Sequence, residues 1–202
     1  MIDPTRDLIR QRNREQVRAL SAADRLRAGA EIARFLEATP WLRPGLAVAG
    51  FWSLPTEVPM LVVQMLIERL GAHYHLPVLR PGKQLAFARF CAGDGVKPNR
   101  FGIPEPAAPG SLLAPSELDL VLLPLSAFDR DGHRLGSGGG WYDRSFAFRK
   151  SPGVLTPRLV GIGFACQEQP NLPVAEWDVP LDAVITEREL VQCRSSGNPV
   201  AS

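Results

Sequence analysis

The 202-residue sequence is short of cysteine, of long apolar runs and of excess charge, and each shortage removes a class of protein. Its three cysteines, Cys91, Cys166 and Cys193, include no C-x-x-C pair and leave an odd count, so a disulfide scaffold is excluded and a reducing compartment is expected. No apolar run reaches the roughly 18 residues of a membrane helix. Asp3, Arg6 and Asp7 stand where a signal peptide has its apolar core, and a cytoplasmic location is expected. A net charge of +2 is too small a surplus to indicate nucleic acid; the arginine-rich start is interleaved with acids and reads as a solvated helix face. The three histidines, His73, His75 and His133, have neither ligand nor triad spacing.

What is present is the composition of a soluble globular protein, 45% apolar and 22% charged. The length suits one domain over residues 1–202. Asp3-Pro4 marks a helix start and the charged run continues to about Leu20; Ser21 with Asp24 forms a capping box for a second helix ending near Ala38, whose apolar face is narrow, with Leu26, Ala30, Ala33 and Leu36. Buried strands are expected at Leu46–Trp52, His73–Leu79, Leu85–Phe90, Leu118–Leu125, Arg158–Ala165 and Leu181–Thr186, with a helix from Pro59 to Leu70 and a hairpin turn at Pro81-Gly82-Lys83. Residues 91–115 form a long Pro- and Gly-rich loop, and the chain from about Cys193 reads as a frayed tail. Helices interspersed with short apolar strands predict an α/β layer fold with a largely parallel sheet.

The sharpest local signal is RLGSGGGWYD at Arg134–Asp143, with glycines at 136, 138, 139 and 140. A turn needs one or two glycines. Four suit a loop whose backbone N–H groups converge on an anion, here expected between the Leu118–Leu125 strand and a helix starting at Trp141. A glycine-rich turn that merely lets a strand and a helix pack closely is the competing explanation. The ending is not that of a Walker A loop, and Trp141 breaks the G-x-G-x-x-G pattern. Arg134 can neutralise phosphate oxygens or pair with Asp129 or Asp131. Asp143 and Asp178 can serve Mg²⁺ or act as caps. Glu57, after the first strand, can accept hydrogen bonds from a polar heterocycle, and Cys166 reads as inert.

With these residues in view, the sequence resembles the 5-formyltetrahydrofolate cyclo-ligase family. The resemblance spans about Arg6 to Glu187 and is carried mainly by FDRDGHRLGSGGGWYDR at Phe128–Arg144, with support from RALSAADR at Arg18–Arg25, Glu57, FGIPEP at Phe101–Pro106 and the W-D-x-x-L-D pattern around Asp178 and Asp182. It implies a three-layer α/β/α structure with a mainly parallel sheet and an N-terminal helical hairpin. It also implies ATP-driven closure of 5-formyltetrahydrofolate, with or without a polyglutamate tail, to 5,10-methenyltetrahydrofolate through a phosphorylated formyl group. ATP and Mg²⁺ are the implied co-substrate and cofactor, and a monomer is expected. By the resemblance, Arg6, Arg10, Arg134, Leu135, Gly136, Ser137, Gly138, Gly139, Gly140, Trp141 and Tyr142 hold ATP, and Asp143 and Asp178 hold Mg²⁺. Trp52, Glu57 and the stretch Ser137–Trp141 meet the folate, and Arg134, Gly138, Gly139, Gly140 and Tyr142 carry the catalysis.

Four positions depart from the family pattern: Arg6 for a lysine, Trp141 for the first tyrosine, Pro59 for an acidic residue, and Leu125-Ser126 for a Gly-Leu pair. These departures leave room for a folate or nucleotide sensor without turnover. Fold alone also leaves room for a sugar-phosphate isomerase or CoA-transferase-like enzyme.

Overall fold

Aliphatic runs bounded by glycine and proline supply the middle of an eight-stranded sheet in the computed structural model, which describes residues 4–193. The strands are β1 (Ala47–Ala49), β2 (His73–Arg80), β3 (Gln84–Arg89), β4 (Val96–Pro98), β5 (Pro104–Pro106), β6 (Leu112–Leu113), β7 (Leu120–Pro124), β8 (Ala127–Phe128), β9 (Arg134–Leu135), β10 (Arg158–Ile162), β11 (Ala183–Ile185) and β12 (Leu190–Gln192). The main sheet runs β12-β11-β10-β7-β1-β2-β3-β6. Its five central strands, β11 to β2 in that order, are parallel; β12, β3 and β6 pair antiparallel at the edges. Central strands buried on both faces need apolar residues throughout, and β7, LVLLP, has them.

Helices cover one face: α1 (Pro4–Ala19), α2 (Ala22–Glu37) and α3 (Leu61–Arg69). Val17, Ile32, Leu36, Val63 and Ile67 pack there on Val48, Leu120, Leu122, Val160 and Ile185. The opposite face carries a thinner layer, in which Phe128 and Phe146 cover Ala49, Phe87, Val121, Leu123 and Val184. That layer contains α4 (Trp141–Ser145) and the glycine stretch. Burying one such Phe or Leu stabilises the fold by roughly 1.5–3 kcal/mol.

Several boundaries differ from expectation for physical reasons. Ser21 caps α2 as expected, its hydroxyl accepting from the Asp24 N–H at 3.1 Å, but Leu26 is 64% exposed and the packed face is Ala28, Gly29, Ile32, Ala33 and Leu36. Gly29 is small enough to meet the Pro59 carbonyl, where a Cβ would lie 2.7 Å from the oxygen. The helix expected from Pro59 begins at Leu61 with Met60 as its cap. The glycine stretch does not follow β7 directly, because the short β8–β9 hairpin intervenes. Residues 91–115 are partly ordered into the β4–β5 arm and edge strand β6, and β12 was not foreseen. Asp3 and the tail beyond Cys193 lie outside the described residues.

Candidate active site

Helix α1 is steered to the glycine stretch by a polar residue inside an otherwise charged helix. Asn13 is fully buried; its amide donates to Ser126 O at 2.9 Å and its oxygen accepts from Gln169 Nε2 at 3.2 Å. Gln167, also buried, donates to Leu125 O at 3.0 Å and accepts from the Phe164 N–H at 2.8 Å. These amides satisfy carbonyls just after β7 that no sheet partner reaches, a need that buried backbone imposes. Neither residue stands out in the sequence, since a lone Asn or Gln has no motif around it.

With α1 so placed, Arg10 donates from Nε to Gly136 O at 2.8 Å and from Nη1 to Asp7 at 2.6 Å. On the other side of the loop, Arg144 donates to the carbonyls of Gly139 and Gly140 at 3.1 and 3.2 Å. The loop's carbonyls are therefore drawn to arginines, while among the described residues the N–H groups of Ser137 to Gly140 donate to no protein acceptor. Gly138 has φ +100° and Gly140 φ +67°, backbone that L side chains rarely adopt. Unpartnered N–H groups ringed by cations are what an anion requires. The expected helix dipole contributes little, because α4 is only five residues long.

Two half-buried arginine–carboxylate pairs flank the loop. Arg134 donates to Asp143 Oδ1 at 2.8 Å rather than to Asp129 or Asp131, and the same oxygen accepts from the Val179 N–H at 3.3 Å. Arg6 Nη2 grips both oxygens of Asp178, at 3.0 and 2.9 Å. The Nε atoms of Arg6 and Arg134 are buried without a partner among the described residues. Because Val179 follows Asp178 in the chain, the two carboxylates predicted to meet Mg²⁺ are brought to the same corner. A cavity of about 280 Å³ opens beside it, lined by His133, Ala175, Asp178 and Pro180. No cluster of three or more ligating side chains is found among the described residues. His133 instead bonds the buried Asp129 at 2.9 Å, and Asp129 also accepts from the N–H groups of Asp131 and His133, tying the β8–β9 turn.

The folate-side residues converge from the end of β1. Ser53 accepts from the Met60 N–H and donates to Val58 O, closing the 53–60 loop, and Arg25 of α2 donates to Pro55 O at 2.6 Å. Within it, Glu57 accepts from the Leu54 N–H at 2.9 Å. Burial pushes the Glu57 carboxyl up to about 7, with the Leu54 N–H opposing. Tyr142 stacks on Phe146, and its hydroxyl is pushed up by burial and then by the neighbouring Glu57 charge, so Glu57 and Tyr142 share one environment. Trp52 stands edge-on to Phe90, partly exposed at the rim. Trp141 meets Phe101 edge-on at 6.0 Å, with the Arg100 guanidinium over both rings. Cys166 is half-buried in a turn, and burial pushes its thiol up, away from a nucleophile's range.

A family model described as the 5-formyltetrahydrofolate cyclo-ligase family matches residues 3–187. The chain is 36% identical over 183 residues to the 5-formyltetrahydrofolate cyclo-ligase of Escherichia coli, covering 86% of this chain and 95% of that protein. It is also 36% identical over 137 residues to the protein of that name from Haemophilus influenzae, covering 66% and 72%. The NMR structure of Aquifex aeolicus 5,10-methenyltetrahydrofolate synthetase superposes with a TM-score of 0.79 at 25% identity, covering 98% of this chain and 96% of that one.

Proposed function

Since the chain belongs to the 5-formyltetrahydrofolate cyclo-ligase family, whose activity is ATP-dependent, we propose that Arg134–Asp143 is the place where ATP and the formyl group of 5-formyltetrahydrofolate meet. The observation that carries the assignment is the glycine loop itself, with unpartnered N–H groups from Ser137 to Gly140 between Arg10, Arg134 and Arg144. Arg6, Arg10 and the loop from Leu135 to Tyr142 hold the triphosphate. Glu57 and Trp52 hold the pterin, Glu57 by accepting its N–H groups and Trp52 by apolar contact.

An amide oxygen is a poor leaving group, and phosphorylation makes it a good one. The formyl oxygen attacks the γ-phosphorus and ADP departs. N10 then adds to the formyl carbon, its proton is lost, and phosphate leaves with the former formyl oxygen. The task left to the protein is to align the oxygen with phosphorus and to offset charge on the transferring group. The free N–H groups of Gly138, Gly139 and Gly140 and the cation of Arg134 answer that need, and Tyr142 walls the site from water.

Mg²⁺ favours one or two carboxylates together with phosphate and water oxygens. Asp143 and Asp178 fit that donor set: Asp143 accepts from the N–H next to Asp178, and each carboxylate is held in place by an arginine, Arg134 and Arg6. Bound there, the cation would neutralise phosphate charge. Purified protein given 5-formyltetrahydrofolate, ATP and Mg²⁺ is expected to develop the absorbance of the methenyl product, with one ADP formed per product. Nucleotide and folate binding without product would instead identify a sensor.

A further inference from the structure

Each backbone carbonyl of the glycine loop shares a planar peptide with the N–H of the next residue, and in a trans peptide the two point in opposite directions. Whatever holds a carbonyl therefore aims the following N–H. A peptide between two glycines has no Cβ on either side to resist its rotation, so its aim has to come from contacts. Gly136 O accepts from Arg10 Nε at 2.8 Å, which turns the Ser137 N–H the other way. Gly139 O accepts from Arg144 Nη1 at 3.1 Å, which does the same for the Gly140 N–H. Among the described residues Gly139 O has no other donor. Gly140 O, which Arg144 Nη1 also meets at 3.2 Å, is held by the Arg144 N–H as well. The side chain's own contribution is thus at Gly139.

Arg144 has no competing partner. Arg6, Arg10 and Arg134 are each tied to a carboxylate, of Asp178, Asp7 and Asp143, whereas Arg144 is exposed and pairs with none among the described residues. Its place depends on a glycine, since a Cβ at residue 140 would stand 2.5 Å from Nη1. Resting on the functional reading above, we propose that Arg144 is a positioning residue: by holding the Gly139 carbonyl it keeps the Gly140 N–H turned toward the transferring phosphoryl group. In this role it touches no substrate. Its effect passes through the Gly140 N–H, a donor set in advance that needs no reorganisation at the moment of transfer.

The test joins kinetics to the amide signal of Gly140. In ¹⁵N-labelled protein without ligands, Arg144→Ala is expected to shift or broaden the Gly140 amide resonance and to leave those of the sheet in place. The loss of one such donor is expected to lower kcat by about tenfold to a hundredfold. KM for the folate is expected to change by less than about twofold and Tm by less than about 3 °C, as suits an exposed side chain. Millimolar guanidinium ion is expected to restore part of kcat in Arg144→Ala and to do nothing for the wild type. An unchanged kcat overturns the assignment. So does a lowered kcat with the Gly140 amide at its wild-type position, which makes Arg144 a direct phosphate ligand. A Tm lowered in step with activity makes it a structural residue and likewise overturns it. Wild-type protein that turns over no folate removes the functional reading and the catalytic half of this one, while the Gly140 amide still decides whether the side chain holds the peptide.

Discussion

Glu57 and Asp143 show how burial sets what a single carboxylate can do. Glu57 titrates near 7 because burial disfavours its charge, so between about 4.5 and 7 the folded protein binds more protons than the unfolded chain. Stability therefore falls as pH rises through that window, by an amount on the order of 2 kcal/mol. Chemical denaturation at pH 5 and pH 8 is expected to register this decline, and Glu57→Gln to flatten it; an equal slope in the variant would place the titration elsewhere. Since only the ionised carboxylate accepts from two pterin N–H groups, KM for the folate is also expected to drop as pH passes upward through 7. Asp143 is shared between Arg134 and the Val179 N–H. Removing it altogether, as in Asp143→Ala, leaves a buried guanidinium unpaired and is expected to cost about 3 kcal/mol of stability, so an effect on turnover alone, the simple expectation for a metal ligand, does not apply. Asp143→Asn keeps the shape and an acceptor. It is expected to lower kcat about tenfold or more with a small change in Tm; an unchanged kcat would reduce Asp143 to a structural anchor for Arg134.

Among the elements, α1 matters most for the site, and its role was only half legible. The Pro4 start and the run to Ala19 follow from charge and capping. What directs the helix does not, because Asn13 acts through carbonyls of residues more than 100 positions away. Asn13→Leu leaves Ser126 O only the longer bond from Gln167 at 3.3 Å and takes the acceptor from Gln169 Nε2, and is expected to cost about 1–3 kcal/mol in denaturation experiments. Because Arg6 and Arg10 ride on the same helix, KM for ATP is expected to rise more than KM for the folate; equal rises would mean that α1 serves both substrates alike. The β8–β9 hairpin and the β4–β5 arm escaped the sequence for a related reason. Strands of two or three residues, PEP and AF among them, are too short for an alternation pattern, and their pairing partners decide them.

For the whole molecule, the parallel centre of the sheet was legible because strands covered on both faces must be apolar along their buried length, and LVLLP, AVI and RLVGI after its first residue are. The order of those strands was not, since long-range pairing leaves no local trace. Trp141, the residue that breaks the glycine-loop pattern, turns out to join that loop to the arm through Phe101 and Arg100, so the departure has a packing partner. The fold thus brings a cationic helix, a glycine loop with unpartnered N–H groups and a half-buried carboxylate to one corner, where we propose that a formyl oxygen is phosphorylated. The most direct measurement follows that oxygen. With 5-formyltetrahydrofolate labelled by ¹⁸O in the formyl group, one labelled oxygen is expected in the phosphate released at each turnover, whereas label recovered in water with unlabelled phosphate would contradict phosphorylation of the formyl oxygen.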